Sequence, residues 1–269
     1  MNKINSFNSP ILSVQNVSCS YSVYSPGFFK KKYVSQAESE ETAKRLACEA
    51  CNKTTGFGTG SVKPVLKNIN LELQTGEIFG LTGSSGCGKT TLARCIMGMI
   101  NYSGKIIIAN DAASGTASLA YPAVQMIFQE TGGSLNPVKK AGWLIEEPLV
   151  IHKIGTRYER EKKVDKMLID VGLDPSYKKR KVTELSGGQK QRVCIGRALI
   201  LNPRLLIADE TISALDISTG AQILNLFREL HRNLNLSILF ISHNNNAVEY
   251  LCDRIGTIKN GELKMNSDF

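Results

Sequence analysis

Two stretches of this chain combine residue types at spacings suited to handling a phosphate. In the run GSSGCGKT at 83–90, Gly83 and Gly88 stand with four residues between them and Lys89 and Thr90 follow. That is the spacing in which backbone N–H groups wrap a phosphate while the next helix points its positive end at it. Gly83, Gly86 and Gly88 let the backbone come close, and Ser84, Ser85 and Cys87 complete the cradle, Cys87 through its backbone more than its sulfur. Lys89 supplies a point charge for the β and γ phosphates, Thr90 a hydroxyl for Mg²⁺ and Thr91 a further phosphate contact. The second stretch, LLIADE at 205–210, is an apolar strand ending in two carboxylates, Asp209 and Glu210. Such a pair at the end of a buried strand is costly unless a cation meets it, which favours a metal site over an ordinary strand end.

The run LSGGQKQR, Leu185 to Arg192, falls about a hundred residues after the phosphate loop. Leu185, Ser186, Gly187, Gly188 and Gln189 resemble the signature of the ATP-binding cassette (ABC) family, and the resemblance extends from Leu12 to Leu263. It implies ATP and Mg²⁺ as the bound species, with LLIADE as the Walker B strand. Asp209 would then hold Mg²⁺ through water, together with Thr90, and Glu210 would orient or deprotonate the attacking water. Gln129, closing VQMIFQ, resembles the glutamine that touches Mg²⁺ and water and moves with a helical subdomain. Ser213, Ala214, Leu215 and Asp216 match the D-loop, and His243 in ISHN the switch histidine that senses the γ phosphate. Asn244 stands where the family usually has Asp, which puts the local support of His243 in question. Tyr21 occupies the place of the aromatic that stacks on adenine.

The resemblance also implies a dimer. In this family the signature of one subunit caps the ATP held by the other subunit's phosphate loop, so one chain carries halves of two sites. SLNP at 134–137 is characteristic of the dipeptide, oligopeptide and nickel importer branch, although ETGG replaces the more usual DP pair before it. The function implied is the ATPase of an importer for peptides or nickel and metal chelates. Its partners would be two membrane permease subunits, a second ABC ATPase (the same chain or another) and, indirectly, an external substrate-binding protein. A soluble ABC ATPase of DNA repair or translation and an exporter ATPase are the alternatives. Against the soluble reading stand the single cassette and the lack of a long heptad insertion.

Composition bounds the same picture. The 269 residues, 42% apolar, can bury a real core. The net charge of +9 suits a polyanion or an anionic membrane face, or simply a basic surface around a nucleotide site. No specific nucleic-acid recognition is expected. No apolar run approaches the ~18 residues of a membrane span, and MNKINSFNSP lacks the apolar region of a signal peptide. The expected location is the cytoplasmic face of the membrane, held there by partners. Seven scattered cysteines fit reduced thiols, and the single CxxC, Cys48 and Cys51, lacks the further ligands that zinc requires.

The elements that must position these groups alternate between strand and helix, which predicts a mostly parallel sheet with flanking helices. Strands are expected over Leu12–Val17, Leu66–Leu73, Ile78–Thr82, Lys105–Ala109, Val124–Phe128, Leu205–Ala208, Ser237–Ile241 and Ile255–Lys259. Helices are expected over Thr90–Met99, Glu159–Val171, Gln189–Leu201 and Ser218–Asn233, the last with a core stripe of Ala221, Leu224, Phe227 or Arg228, and Leu234. By resemblance the fold is α/β: a RecA-like P-loop core with an antiparallel β layer and a helical subdomain inserted at 135–184, all within one ABC ATPase domain, 1–269. Residues 22–61 form an insertion where a short hairpin would suffice. It holds FFKKKY (28–33), a capping-box spacing at Ser35 and Glu38, a helix face of Ala43, Leu46, Ala47 and Ala50, and a glycine-rich end, and it reads as a solvated loop, with membrane-surface or partner contact as the alternative.

Overall fold

The structure, a computed structural model, describes Pro10–Val23, 61–109, 123–129 and 135–266. The basic aromatic cluster, the capping box, the helix face and the CxxC of the insertion therefore lie outside the described residues, as do 130–134. Met1–Cys19 and Val65–Phe269 make one compact unit and Ser20–Pro64 a second. The second contributes, among described residues, the far end of β1 (Pro10–Val23), with Tyr21 exposed, and the start of β2 (Ser61–Gln74).

The first unit is built on a six-stranded sheet of order β5 (Val124–Ile127), β6 (Leu205–Asp209), β7 (Ser237–Ile241), β3 (Ile78–Thr82), β8 (Arg254–Lys259), β9 (Glu262–Met265). The first five strands are parallel and β9 returns antiparallel to β8. Strands β3, β5, β6 and β7 are buried along their whole length, as parallel strands covered on both faces must be. Their side chains alternate between two cores. Ile78, Leu206, Ala208, Ile238 and Phe240 join one apolar cluster, while Phe79, Leu81, Leu205, Ile207, Leu239 and Ile241 join the other. That division is the period of two inherent in an extended chain.

On the first face pack α2 (Ala141–Ile151), α3 (Arg157–Asp170), α4 (Gly187–Leu199), α5 (Ile217–Leu234) and α6 (Asn245–Leu251). On the other lie α1 (Lys89–Ile96) and a three-stranded sheet, β2–β1–β4, in which β4 (Ser103–Ile108) pairs antiparallel with β1. Phe227 of α5 meets Phe240 of β7 edge to face, ring centres 6.1 Å apart. Both rings are fully buried, each worth roughly 1.5–3 kcal/mol of transfer free energy.

Two expectations need correction. The buried stripe of α5 runs through Gly220, Ile223, Leu224, Phe227 and Leu230, whereas Ala221 and Leu234 face solvent. Four- and three-residue steps starting from Gly220, not Ala221, reach Leu224 and Phe227, and Leu234 is the helix's last residue, past its buried face. The chain also continues beyond β8 into β9, turning at Asn260 (φ 55°) and Gly261 (φ 83°). Asn-Gly supplies the two left-handed residues that a two-residue hairpin turn needs. Between 135 and 184 the chain forms α2, α3 and two short 3₁₀ turns, Pro175–Lys179 and Val182–Glu184.

Candidate nucleotide site

Sheet register aligns the chemistry. Leu81 of β3 and Asp209 of β6 both pair with Ile241 of β7, and Ile127 of β5 pairs with Ala208. One or two residues further on, four chain segments leave the carboxyl edge of the sheet together, carrying Gly83, Gln129, Glu210 and His243. Ligands of open parallel sheets bind at this edge.

The phosphate loop follows β3. Gly83 has φ 142°, and a Cβ there would stand 2.5 Å from the Ile258 carbonyl oxygen; at Gly88, φ 114°, it would stand 2.7 Å from Leu66. Glycine is required at both positions by conformation and by space. Gly88 caps α1 without any side-chain hydrogen bond, which leaves the first-turn N–H groups free to meet an anion. Lys89 is buried, and its ammonium donates to the carbonyls of Gly83 (2.9 Å) and Ser84 (3.1 Å). The Thr90 hydroxyl faces Asp209 at the end of β6 and favours its charged form.

Asp209 is buried, and burial raises its carboxyl above the ordinary value, with Thr90 opposing and the charge of Glu210 reinforcing the rise. Its Oδ1 has no hydrogen-bond partner among the described residues. A buried carboxylate oxygen left open beside a threonine hydroxyl is a donor pair suited to a hard cation. Glu210, the next residue, takes a left-handed backbone conformation, φ 48°, uncommon outside glycine and concentrated at functional positions. Its Oε2 accepts a hydrogen bond from Gln129 Nε2 at 2.8 Å, and its Oε1 lies 3.5 Å from His243 Nδ1. The Ser213 hydroxyl donates to the Glu210 carbonyl at 2.8 Å, fastening the D-loop segment behind the carboxylate. A cleft of about 450 Å³ opens beside these groups, lined by Thr82, Gly83, Ser84, His243, Asn245 and Asn266 among others.

Asn244, the residue after His243, caps the helix that follows. Its side-chain oxygen accepts from Ala247 N at 3.2 Å and caps α6, while its own N–H donates to Ser242 Oγ at 3.1 Å. Asparagine caps helices about as well as aspartate, so the substitution preserves this job.

The signature occupies the start of α4. Ser186 is the N-cap, with Gln189 N donating to its hydroxyl (3.3 Å) and Ser186 N donating to Gln189 Oε1 (3.0 Å), a reciprocal capping box. Gly188 packs so closely on α5 that a Cβ would stand 2.5 Å from Thr219, and Gly187 faces Leu215 of the D-loop segment. Asp216 caps α5 through Thr219 N, 2.9 Å. Ser186 and Gly187 are exposed, and among the described residues no hydrogen bond or ion pair given above joins 185–189 to 83–91. Tyr21 belongs to the other unit.

Sequence reasoning did not find Tyr177, whose hydroxyl accepts from Gln189 Nε2 at 3.2 Å beneath the guanidinium of Arg180, 4.0 Å above its ring. Nothing in the spacing of Tyr177 and Gln189 announces this contact, because the 3₁₀ turn at Pro175–Lys179 creates it. Ser242, buried at the end of β7, was likewise hidden in an apolar run.

Comparison with known proteins agrees with this geometry. The ABC transporter family model matches residues 66–213. The oligopeptide transport ATP-binding protein AppF of Bacillus subtilis is 42% identical over 211 residues, covering 76% of this chain and 64% of AppF. The oligopeptide transport ATP-binding protein OppF of Streptococcus pyogenes is 41% identical, covering 77% of this chain and 70% of its own length. The glutathione import ATP-binding protein GsiA of Pectobacterium atrosepticum is 40% identical over 74% of this chain, which spans only 33% of GsiA. Among solved structures, the dimeric ATP-binding cassette MJ0796 in a post-hydrolysis state with ADP and Pi superposes with a TM-score of 0.70 at 26% identity, covering 96% of this chain and all of that one. The fold is therefore the RecA-like core with its antiparallel β layer and inserted helices, and the chain belongs to the ABC transporter family.

Proposed function

We propose that this chain is the ATP-hydrolysing subunit of an ABC importer for peptides. The observation that carries the reading is Glu210, held between the Gln129 amide and the His243 ring next to the buried Asp209 and Thr90. Loop amides, the α1 N-terminus and Lys89 bind and orient the β and γ phosphates. Asp209 and Thr90 are the residues that would hold Mg²⁺, which when bound supplies charge neutralisation on those phosphates. Glu210 takes the proton of the attacking water, Gln129 and His243 fix its carboxylate, and His243 turns toward the γ phosphate.

The exposed Ser186 and Gly187, with the half-buried Gly188, meet the γ phosphate held by a second ATPase subunit, the same chain or a homologous one. ATP joins the two, hydrolysis releases them, and that motion works two membrane permease subunits that receive cargo from an external binding protein. No helix among the described residues is long and apolar enough to cross a membrane, and the permease subunits hold the chain at the cytoplasmic face. The names of AppF, OppF and GsiA favour peptides over nickel or a metal chelate as cargo.

The test is turnover, ATP binding and ATP-dependent dimerisation of Glu210→Gln and Asp209→Asn with the membrane partners present. Glu210→Gln keeps size and hydrogen bonding but loses the base. ATP is expected to bind and close the dimer while turnover falls by ~10² to 10⁴. Asp209→Asn is expected to raise the Mg²⁺ concentration needed for activity. Near-normal hydrolysis by Glu210→Gln removes that residue from the role and shifts it to His243.

A further inference from the structure

A basic surface lies where two segments of the helical region run side by side, one of them leading into the signature. Lys140 and Lys181 form an antiparallel bridge, Ala141 N donates to the Arg180 carbonyl at 2.9 Å and Val182 N to the Lys139 carbonyl at 3.3 Å. The pairing sets Lys139 and Lys140 beside Lys179, Arg180 and Lys181, all five exposed, in a strip of two adjoining segments. Among the described residues none of the five has a carboxylate within ion-pair distance, whereas Lys178 beside them is held by Asp165 and Glu161. The carboxylates interspersed with the strip, Asp174 and Glu184, each accept from a backbone amide, of Ser176 and Lys181 respectively.

Apolar groups accompany the charge. Val138 is 75% exposed, and Trp143, on the first turn of α2, is 40% exposed with the Lys139 ammonium 4.3 Å from its ring centre. We propose that this strip is a docking surface for the anionic headgroups of a bilayer, with Val138 and Trp143 entering the interface and the five cations lying at headgroup level. The mixture of residues selects this occupant. A single-stranded nucleic acid would use the Trp143 face for stacking, but Lys139 already covers that face and Val138 would gain nothing. An interfacial membrane contact uses all of it: aromatic and aliphatic side chains at the polar boundary and lysines whose stems lie along apolar surface. Each cation near an anionic leaflet strengthens partitioning about fivefold.

The experiment is co-sedimentation of the whole chain with vesicles of equal parts phosphatidylglycerol and phosphatidylcholine, against phosphatidylcholine alone, while following tryptophan emission. Trp143 is the sole tryptophan, so its emission reports this surface and no other. Binding to the anionic vesicles with a blue shift, lost as salt rises, is the expected result. The variant Lys140→Gln, Lys179→Gln, Lys181→Gln should weaken partitioning about a hundredfold. The control Lys105→Gln, Lys259→Gln, Lys264→Gln removes the same charge from exposed positions on β4, β8 and β9 and should change it less than about twofold. Retained ATP binding shows that both variants are folded. Equal loss in the two sets, binding without any change in Trp143 emission, or capture of an RNA oligonucleotide with no vesicle binding would each overturn the proposal. None of these outcomes depends on hydrolysis or on permeases, so failure here leaves the ATPase reading intact.

Discussion

The two phosphate-facing regions of this chain are finished to different degrees. At the carboxyl edge of the large sheet, groups from four segments meet within the chain: Thr90 faces Asp209, Gln129 bonds Glu210, His243 lies beside Glu210 and Ser213 bonds the Glu210 carbonyl. At the start of α4 the signature closes on itself through the Ser186 and Gln189 cap and on Tyr177, leaving Ser186 and Gly187 turned to solvent. A helix N-terminus whose geometry is fixed but whose outer amides meet no partner among the described residues is suited to an anion brought from outside, as the proposed function requires. On the proposed reading, the difference teaches that nucleotide affinity and dimer closure are separable, carried by residues about a hundred positions apart.

That separation can be broken most strongly at Gly83. Alanine there puts a Cβ 2.5 Å from the Ile258 carbonyl at φ 142°, so the loop must shift. At roughly 1–3 kcal/mol of strain, ATP affinity is expected to fall about tenfold or more in a titration of the isolated chain. A variant binding ATP normally would show that the loop geometry is not what holds the phosphate.

Thiol labelling gives the next contrast. Cys87, partly exposed in the phosphate loop, should react with an alkylating agent, be protected by ATP, and block nucleotide once modified. Burial pushes the Cys95 and Cys252 thiols up to about 12, so both stay protonated and unreactive at pH 8. With folded values above the ordinary 9.0, they contribute stability that is fully present below pH 9 and lost as pH rises toward 12. Labelling of Cys252 ahead of Cys87 in the native protein would contradict this ordering. On the signature side the expected effect is smaller. Tyr177→Phe removes the acceptor for Gln189 Nε2, and a single neutral hydrogen bond is worth about 1 kcal/mol. Turnover should drop by about fivefold or less with ATP affinity of the isolated chain unchanged.

Much of the catalytic edge was legible in the sequence because its elements are short apolar runs bounded by turn residues. Ile78–Thr82 and Ser237–Ile241 are strands over the same residues the pattern predicts, and Asp209 and Glu210 are recognisable as carboxylates closing a third. What stayed hidden depends on tertiary contact or on a pattern too short to stand out. Glu262–Met265 alternates over only four residues, although Asn260-Gly261 before it is a strong hairpin signal that could have found it. α2 carries Pro148 inside it, which blurs a helical pattern, and the partnership of Tyr177 with Gln189 exists only once a 3₁₀ turn has formed. The role of Asn244 as a cap became clear from the bond it makes to Ala247.

The central claim, that the phosphate loop serves the chain's own nucleotide and the signature a neighbour's, is tested most directly by ATP affinity of the isolated chain carrying Lys89→Ala or Ser186→Arg. Lys89→Ala removes a buried ammonium and should weaken binding about tenfold to a hundredfold. Ser186→Arg, at an exposed cap, should leave affinity within about twofold while abolishing ATP-dependent dimerisation, since only a helix cap worth ~1 kcal/mol is lost within the chain. Equal loss of ATP affinity in the two variants would contradict the account.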